Sequence, residues 1–281
     1  MHQWVEKRGK KVDYEKYYFE WLFKRKTLHN ICEELAISLP KLTQEFDKIK
    51  VEEGIQVKAE FQAINLLIDA VFFGREFGYL CFHDTSKIIY FHEIKNESLA
   101  DLRQGLYAIK NAGFKIKSVT IDGRRGAYQA IKKTFGPVPI QMCLFHQKAI
   151  IRRYIGSKPK TICGQELNHL MKNICLIAPQ VFVDSFYELK RRHKGFLNER
   201  NAQKDYAHLA IRSAFNSVKN NSFAMFTYAD IPSLKIPPTN NHLEGLFGHL
   251  KTNLKIHRGL SKTRKKNAIK FFLKNFKKKP K

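Results

Sequence analysis

Ala63-Ile64-Asn65-Leu66-Leu67-Ile68-Asp69-Ala70-Val71-Phe72-Phe73 is the stretch on which the fold turns. It is too rich in branched and aromatic residues for a surface helix, and it stops at Gly74, so it predicts a buried strand. Asp69 sits near the end of this apolar run. Burying a lone carboxylate costs several kcal/mol, so the charge needs a partner or an ion unless the residue is exposed at a strand end or caps the next turn.

Two more strands follow, Phe77 to His83 and Lys87 to His92, joined by Asp84-Thr85-Ser86, whose short polar side chains suit a hairpin turn. Ser98 caps a helix running through Ala112 to Gly113. A fourth strand (Ile116 to Asp122), a helix (Ala127 to Phe135) and a fifth strand (Val138 to Leu144) come next. The order βββαβαβ predicts an α/β fold with an RNase H-like core, in which the first and fourth strands are neighbours. From about 150 to 230 the pattern is helical, with Leu167, Leu170, Met171 and Ile174 on one face, then Val183, Phe186 and Tyr187, then Leu209, Ala210 and Phe215. We read a helical insertion, closed by a loop with Pro232, Pro237 and Pro238 and followed by a helix from Asn241 to Leu254, which Asn241 can cap.

Upstream, residues 13–50 predict three short helices. Asp13 caps the first, Thr27 the second and Ser38 the third, with Pro40 tolerated in its first turn. The break after Leu35 gives a helix-turn-helix shape, with Lys41, Gln44 and Glu45 facing outward near the start of the last helix. The alternative is a three-helix unit that only packs. The organisation expected is a small all-α helix-turn-helix region over 1–55, then a catalytic domain over 60–281 with its insertion at about 150–230.

The composition narrows the partners. Fifty-one Lys and Arg against 25 Asp and Glu give a net charge of +26, an excess that an anionic partner relieves, and nucleic acid is the usual one. A ribosomal or membrane-surface protein could carry the same sign. The longest apolar run falls far short of the roughly 20 residues that cross a bilayer, and the polar, basic start is not that of a secreted chain. A cytoplasmic, nucleoid-associated protein is expected. Five cysteines, an odd number without CxxC pairs, read as reduced.

Asp122 repeats the situation of Asp69: Val119-Thr120-Ile121-Asp122-Gly123 is a strand entering a glycine turn. Two carboxylates at adjacent strand ends are best tolerated with a divalent cation between them. Glu244, early in the helix after the insertion, is a third candidate ligand or an ordinary first-turn glutamate favoured by the helix dipole. The three together suit phosphodiester chemistry on two magnesium ions, with manganese as a substitute. Arg124, Arg125, Lys148, Arg152 and Arg153 flank these acids and, with Lys41, Gln44 and Arg258, are the candidate DNA contacts; the alternative is solvated helix faces. Cys143 and His146 lack the partners of a familiar zinc site or a nucleophile pair, which favours packing over metal binding.

Leu67-Ile68-Asp69, Thr120-Ile121-Asp122-Gly123, Cys143-Leu144-Phe145-His146, Asn240-Asn241-His242-Leu243-Glu244-Gly245 and His257-Arg258-Gly259-Leu260-Ser261 occur in this order. In this combination, over about Gln62 to Phe272, the chain resembles the DDE transposases of the bacterial Mutator-like insertion sequences. The resemblance implies metal-dependent cleavage at the ends of a mobile element and joining of the freed 3′-hydroxyl to target DNA. It implies that Asp69, Asp122 and Glu244 hold the metal, and that the protein self-associates on double-stranded DNA. Relatives of this kind often carry a cysteine-rich zinc ribbon ahead of the helix-turn-helix. This chain begins Met1-His2-Gln3-Trp4 without one, so a shortened copy or a ribbon-free form is expected. A transposase copy that binds DNA without cutting, or a nuclease acting on RNA–DNA hybrids, are the rival readings.

Overall fold

The computed structural model describes residues 12–124, 126–257 and 259–275. Arg125, Arg258 and Trp4 therefore lie outside the described residues. The chain divides into two compact units, one formed by Glu53–Gly245 and the other by Met1–Glu52 with Leu246–Phe276.

The larger unit is built on a six-stranded mixed sheet: β1 (Gly54–Ile55), β2 (Ile64–Phe73), β3 (Phe77–His83), β4 (Ile88–Ile94), β5 (Ile116–Ile121) and β6 (Ile140–Met142). The spatial order is β1-β4-β3-β2-β5-β6. β2, β3 and β4 form an antiparallel meander, and β5 and β6 then run parallel to β2. The first and fourth predicted strands are thus neighbours. Gly74 turns β2 into β3 with φ +70°, a left-handed conformation that favours glycine.

α4 (Leu99–Asn111) and α5 (Ala127–Phe135) pack on one face of the sheet. Ser98 and Asp101 make a reciprocal capping box at the start of α4. The alternating side chains Leu66 and Ile68 of β2, Leu80 and Phe82 of β3, and Val119 and Ile121 of β5 supply the core there, with Leu102, Leu106 and Ile131 from the helices. Gly105 lets α4 approach closely. A Cβ added at that position would lie 2.2 Å from the Phe82 ring.

Two sequence expectations need correction. The fifth strand is three residues long rather than the predicted Val138 to Leu144. The Cys143 amide still bonds to Ile121 O, but the Leu144 amide turns to Pro238 O, and the chain enters α6 (Leu144–Ile155). The helical segment therefore starts before 150. It continues through α7 (Ile162–Lys172), α8 (Pro179–Arg192), α9 (Lys194–Asn198), α10 (Leu209–Met225) and α11 (Thr227–Asp230), followed by a single turn of tighter helix at Pro232–Leu234. These helices enclose their own core, including Ile151, Leu167, Met171, Phe182, Phe186, Phe215 and Val218. Second, Ser38 precedes its helix as predicted but makes no side-chain cap.

The smaller unit holds α1 (Tyr14–Phe23), α2 (Leu28–Leu35) and α3 (Leu39–Lys48), the later part of α12 (Asn241–Ile256), and α13 (Lys262–Asn275). Asp13 and Thr27 cap α1 and α2 through their side chains. Ala36, in the left-handed region at φ +51°, and the two residues after it turn α2 into α3. Tyr18 packs edge-on against Phe46 and Phe271, and Trp21 stacks on Phe46. Arg264 clamps Asp47 with two hydrogen bonds of 2.8 and 2.6 Å. No helix among the described residues is long and apolar enough to cross a membrane.

Candidate metal centre

The site grows from the point where β2 and β5 part. Their last paired rung is Leu67 with Thr120, and Asp69 and Asp122 each lie two residues beyond it. Asp69 is therefore interior to β2, not near its end as the sequence suggested. β2 continues to Phe73 because β3 still pairs with it there, Asp69 lying opposite Cys81. Alternation places Asp69 on the sheet face opposite Ile68 and the α4–α5 core. Asp122 stands in the turn after β5, where Gly123 leaves no room for a side chain. An added Cβ would sit 2.8 Å from Met142 and 3.1 Å from Asn221.

The third element returns from the helical segment by a chain of hydrogen bonds. Ser118 Oγ donates to Asn65 Oδ1 at 2.8 Å, and Asn65 Nδ2 donates to the carbonyls of Leu234 and Lys235. Thr120 Oγ1 donates to Pro237 O at 2.8 Å. Asn240, wholly buried, donates from Nδ2 to Ile68 O at 2.8 Å and from its amide to Cys143 Sγ at 3.2 Å. The Glu244 amide then donates to Asn240 O at 3.1 Å. α12 starts at Asn241, the start expected for this helix, so Asn240 precedes it and Asn241, expected as its cap, is its first residue.

Asp69, His146 and Glu244 converge: one ligand atom from each lies within 4.8 Å of the others. His146 Nε2 is 3.8 Å from Asp69 Oδ1, too far for a hydrogen bond. Burial pulls the His146 imidazole below its ordinary value, with Asp122 opposing and the cations Arg153 and Arg124 assisting, so it is neutral at neutral pH. Burial pushes the Asp69 carboxyl well up against one Ala70 N–H bond, and Glu244, Asp122 and Glu97 add to the rise. Burial also pushes Glu244 up to about 7. Two carboxylates and a neutral imidazole in a desolvated cluster form a donor set that a divalent cation satisfies.

Asp122 is not a member of that close trio, although its charge acts on both Asp69 and His146. Its Oδ2 lies 3.3 Å from Arg124 Nη2, and its Oδ1 is buried without a hydrogen-bond partner. Arg124 also pairs with Glu97, whose carboxyl burial raises. His146 Nδ1 is likewise buried and unpartnered. Each orphaned atom carries an unmet polar demand of the kind ordered water or an ion meets.

Of the candidate DNA contacts, Lys41 and Gln44 are exposed on α3. Lys41 and Lys48 both reach Glu45 Oε1, at 2.9 and 2.8 Å. Arg124 is turned toward Glu97 and Asp122. Lys148 Nζ donates to Lys172 O at 3.0 Å, and Arg152 and Arg153 are exposed at the end of α6. Arg125 and Arg258 are not among the described residues. The sequence reading missed Glu97 and Asn240 and gave His146 no more than a minor chance of metal contact. Glu97 abuts the Ser98 cap and has no motif to mark it. Asn240 was legible only as one of two adjacent asparagines.

No protein-family model matches this sequence, and no curated protein matches it either. The fold is a mixed α/β one. It is similar to a solved structure of a Drosophila P element transposase strand transfer complex, with a TM-score of 0.51 and 10% sequence identity over 96% of this chain and 94% of that one.

Proposed function

We propose that this chain is a DDE-type transposase that cuts DNA at the ends of an insertion sequence and joins the 3′-hydroxyl to target DNA. The observation that carries the reading is the convergence of Asp69, Glu244 and His146 beside Asp122, at the point where two parallel strands part. The likeness to a transposase structure supports it at the level of fold, and the net charge of +26 supports an anionic substrate. On this reading the sheet and its following helices are an RNase H-like core, residues 60–281 the catalytic domain and residues 1–55 a helix-turn-helix that reads element ends. Bacterial Mutator-like elements are the proposed family, and self-association on double-stranded DNA in the nucleoid the proposed setting.

Asp69, Asp122 and Glu244 would hold divalent metal, with His146 as an added ligand whose nitrogen suits a transition-metal ion such as manganese better than magnesium, which prefers oxygen donors. Bound metal would supply activation of water or a 3′-hydroxyl and stabilisation of the leaving oxygen. Asp69, the most deeply buried of the acids and electrostatically coupled to both Asp122 and Glu244, would be the central ligand of the set. Arg124 offsets the acidic charge beside Asp122, and exposed Arg152 and Arg153 at the end of α6 approach phosphates.

A strand-transfer assay tests this, using a duplex with a free 3′-hydroxyl taken from the DNA bracketing the coding region, a supercoiled plasmid target, and magnesium or manganese. The wild type should join the two, and Asp69→Asn, Asp122→Asn and Glu244→Gln should not, while all four bind DNA alike. Joining by purified Asp69→Asn would overturn the assignment.

A further inference from the structure

Between α8, α9 and α10 lies a cavity of about 460 Å³ whose polar wall is cationic. Lys190, Lys194 and Arg212 line it, and among the described residues none of the three has an acidic partner; Arg191 at the rim is engaged by Glu188. We propose that this pocket binds a phosphate group, presented either by a DNA backbone or by a free phosphate compound, at a place separate from the metal centre.

Three features of the pocket argue for it. Its floor is apolar, with buried Leu197 and Phe215, so the charges above it act in a lower effective dielectric than on an open surface. Arg212 is fixed in advance: its Nη1 donates to Leu197 O at 3.2 Å and to Asn198 Oδ1 at 2.8 Å. Its guanidinium lies 3.6 Å from the Tyr206 ring centroid, and Arg200 covers the same ring at 3.5 Å. Nη2 and Nε are left to make charge-assisted bonds. Arg212 also stands in the first turn of the 17-residue α10, where the helix dipole disfavours a cation and favours an anion.

Lys190 is held below the ordinary lysine value by burial, and by the like charges of Lys219 and Arg212. A bound phosphate relieves that repulsion, and asparagines 198 and 216 on the lining can donate to its remaining oxygens.

Calorimetric titration of the full chain with sodium pyrophosphate, in EDTA so that no metal-bridged binding contributes, tests the site independently of the transposase reading. The wild type should bind one equivalent. Lys190→Gln and Lys194→Gln should each weaken binding about tenfold, the loss of one charge-assisted bond, and Lys158→Gln, on an exposed loop, should not. Since Lys190→Gln removes repulsion, its melting temperature without ligand should equal or exceed that of the wild type, which separates lost binding from lost fold. Duplex DNA distinguishes the sources. If Lys190→Gln also weakens DNA binding and lowers the salt slope by about one, the backbone supplies the phosphate; unchanged DNA binding with lost pyrophosphate binding points to a free compound. Pyrophosphate binding that is absent, or equal in wild type and both variants, overturns the proposal.

Discussion

Replacing Glu244 by glutamine should stabilise the metal-free protein at pH 8 and have little effect near pH 5. Burial lifts the Glu244 carboxyl from 4.5 to about 7, while in the unfolded chain it titrates near its ordinary value. Between those two values the folded state binds more protons than the unfolded one, so stability falls as pH rises through the window. Below it both states are protonated and the group contributes nothing; above it both are ionised and the full cost of the buried charge is felt. The lift is worth at most ~3.5 kcal/mol at about 1.4 kcal/mol per tenfold change in proton affinity. Glu244 is only partly buried, and solvent screening reduces the cost to ~1–2 kcal/mol.

Urea denaturation in EDTA at pH 5 and pH 8 reads this directly. Glutamine matches the protonated acid in shape, so the stability advantage of Glu244→Gln over the wild type should grow by about 1 kcal/mol between the two pH values. Adding manganese should reverse the order at pH 8, because an ion that binds only the folded state stabilises it by mass action and the wild type holds the ion better. A variant less stable than the wild type at pH 8 in EDTA would refute the claim that this carboxylate is held against an energetic cost that metal offsets.

Two further outcomes follow from the geometry. Gly105→Ala drives a methyl group to within 2.2 Å of the Phe82 ring and should destabilise the larger unit by ~1–3 kcal/mol; an unchanged urea midpoint would mean that α4 can shift freely on the sheet. Arg124→Gln removes the cation that competes for Asp122 Oδ2 and should tighten manganese binding, measured by calorimetry, by roughly tenfold; weaker binding would instead make Arg124 a residue that positions Asp122 for the ion.

The meander was readable because its signals are local. The limits expected for β3 coincide with those observed, and β2 and β4 differ by one or two residues at an end, since each run is bounded by turn residues and its face is set by alternation. β1, two residues without periodicity, offers no such signal; its pairing with β4 is a tertiary event. The run from Val138 to Leu144 shows the opposite failure. A short apolar stretch does not distinguish a strand from the entry to a helix. The Leu144 amide bonds to Pro238 O, 94 residues along the chain, as β6 gives way to α6.

The same division between local and long-range information governs the site. Asp69 and Asp122 stand out because a charge in an apolar strand is costly wherever the strand lies. His146 does not, because a histidine in the first turn of a helix is ordinary until the end of β6 is known to lie beside β5. Glu244 depends on the most remote contact. Asn240 reaches Ile68 O across 172 residues and thereby ties the start of α12 to the residue before Asp69. The helices in between place little restriction on this arrangement, since loop closure costs only about 0.6 kcal/mol more for each doubling of length. What holds the return is the set of side-chain bonds that join its far end to the sheet, from Asn65 and Thr120 to the backbone of Leu234, Lys235 and Pro237, and from Asn240 to Ile68 O. A helical segment of very different size could therefore be accommodated without moving Glu244, provided those three anchors remain.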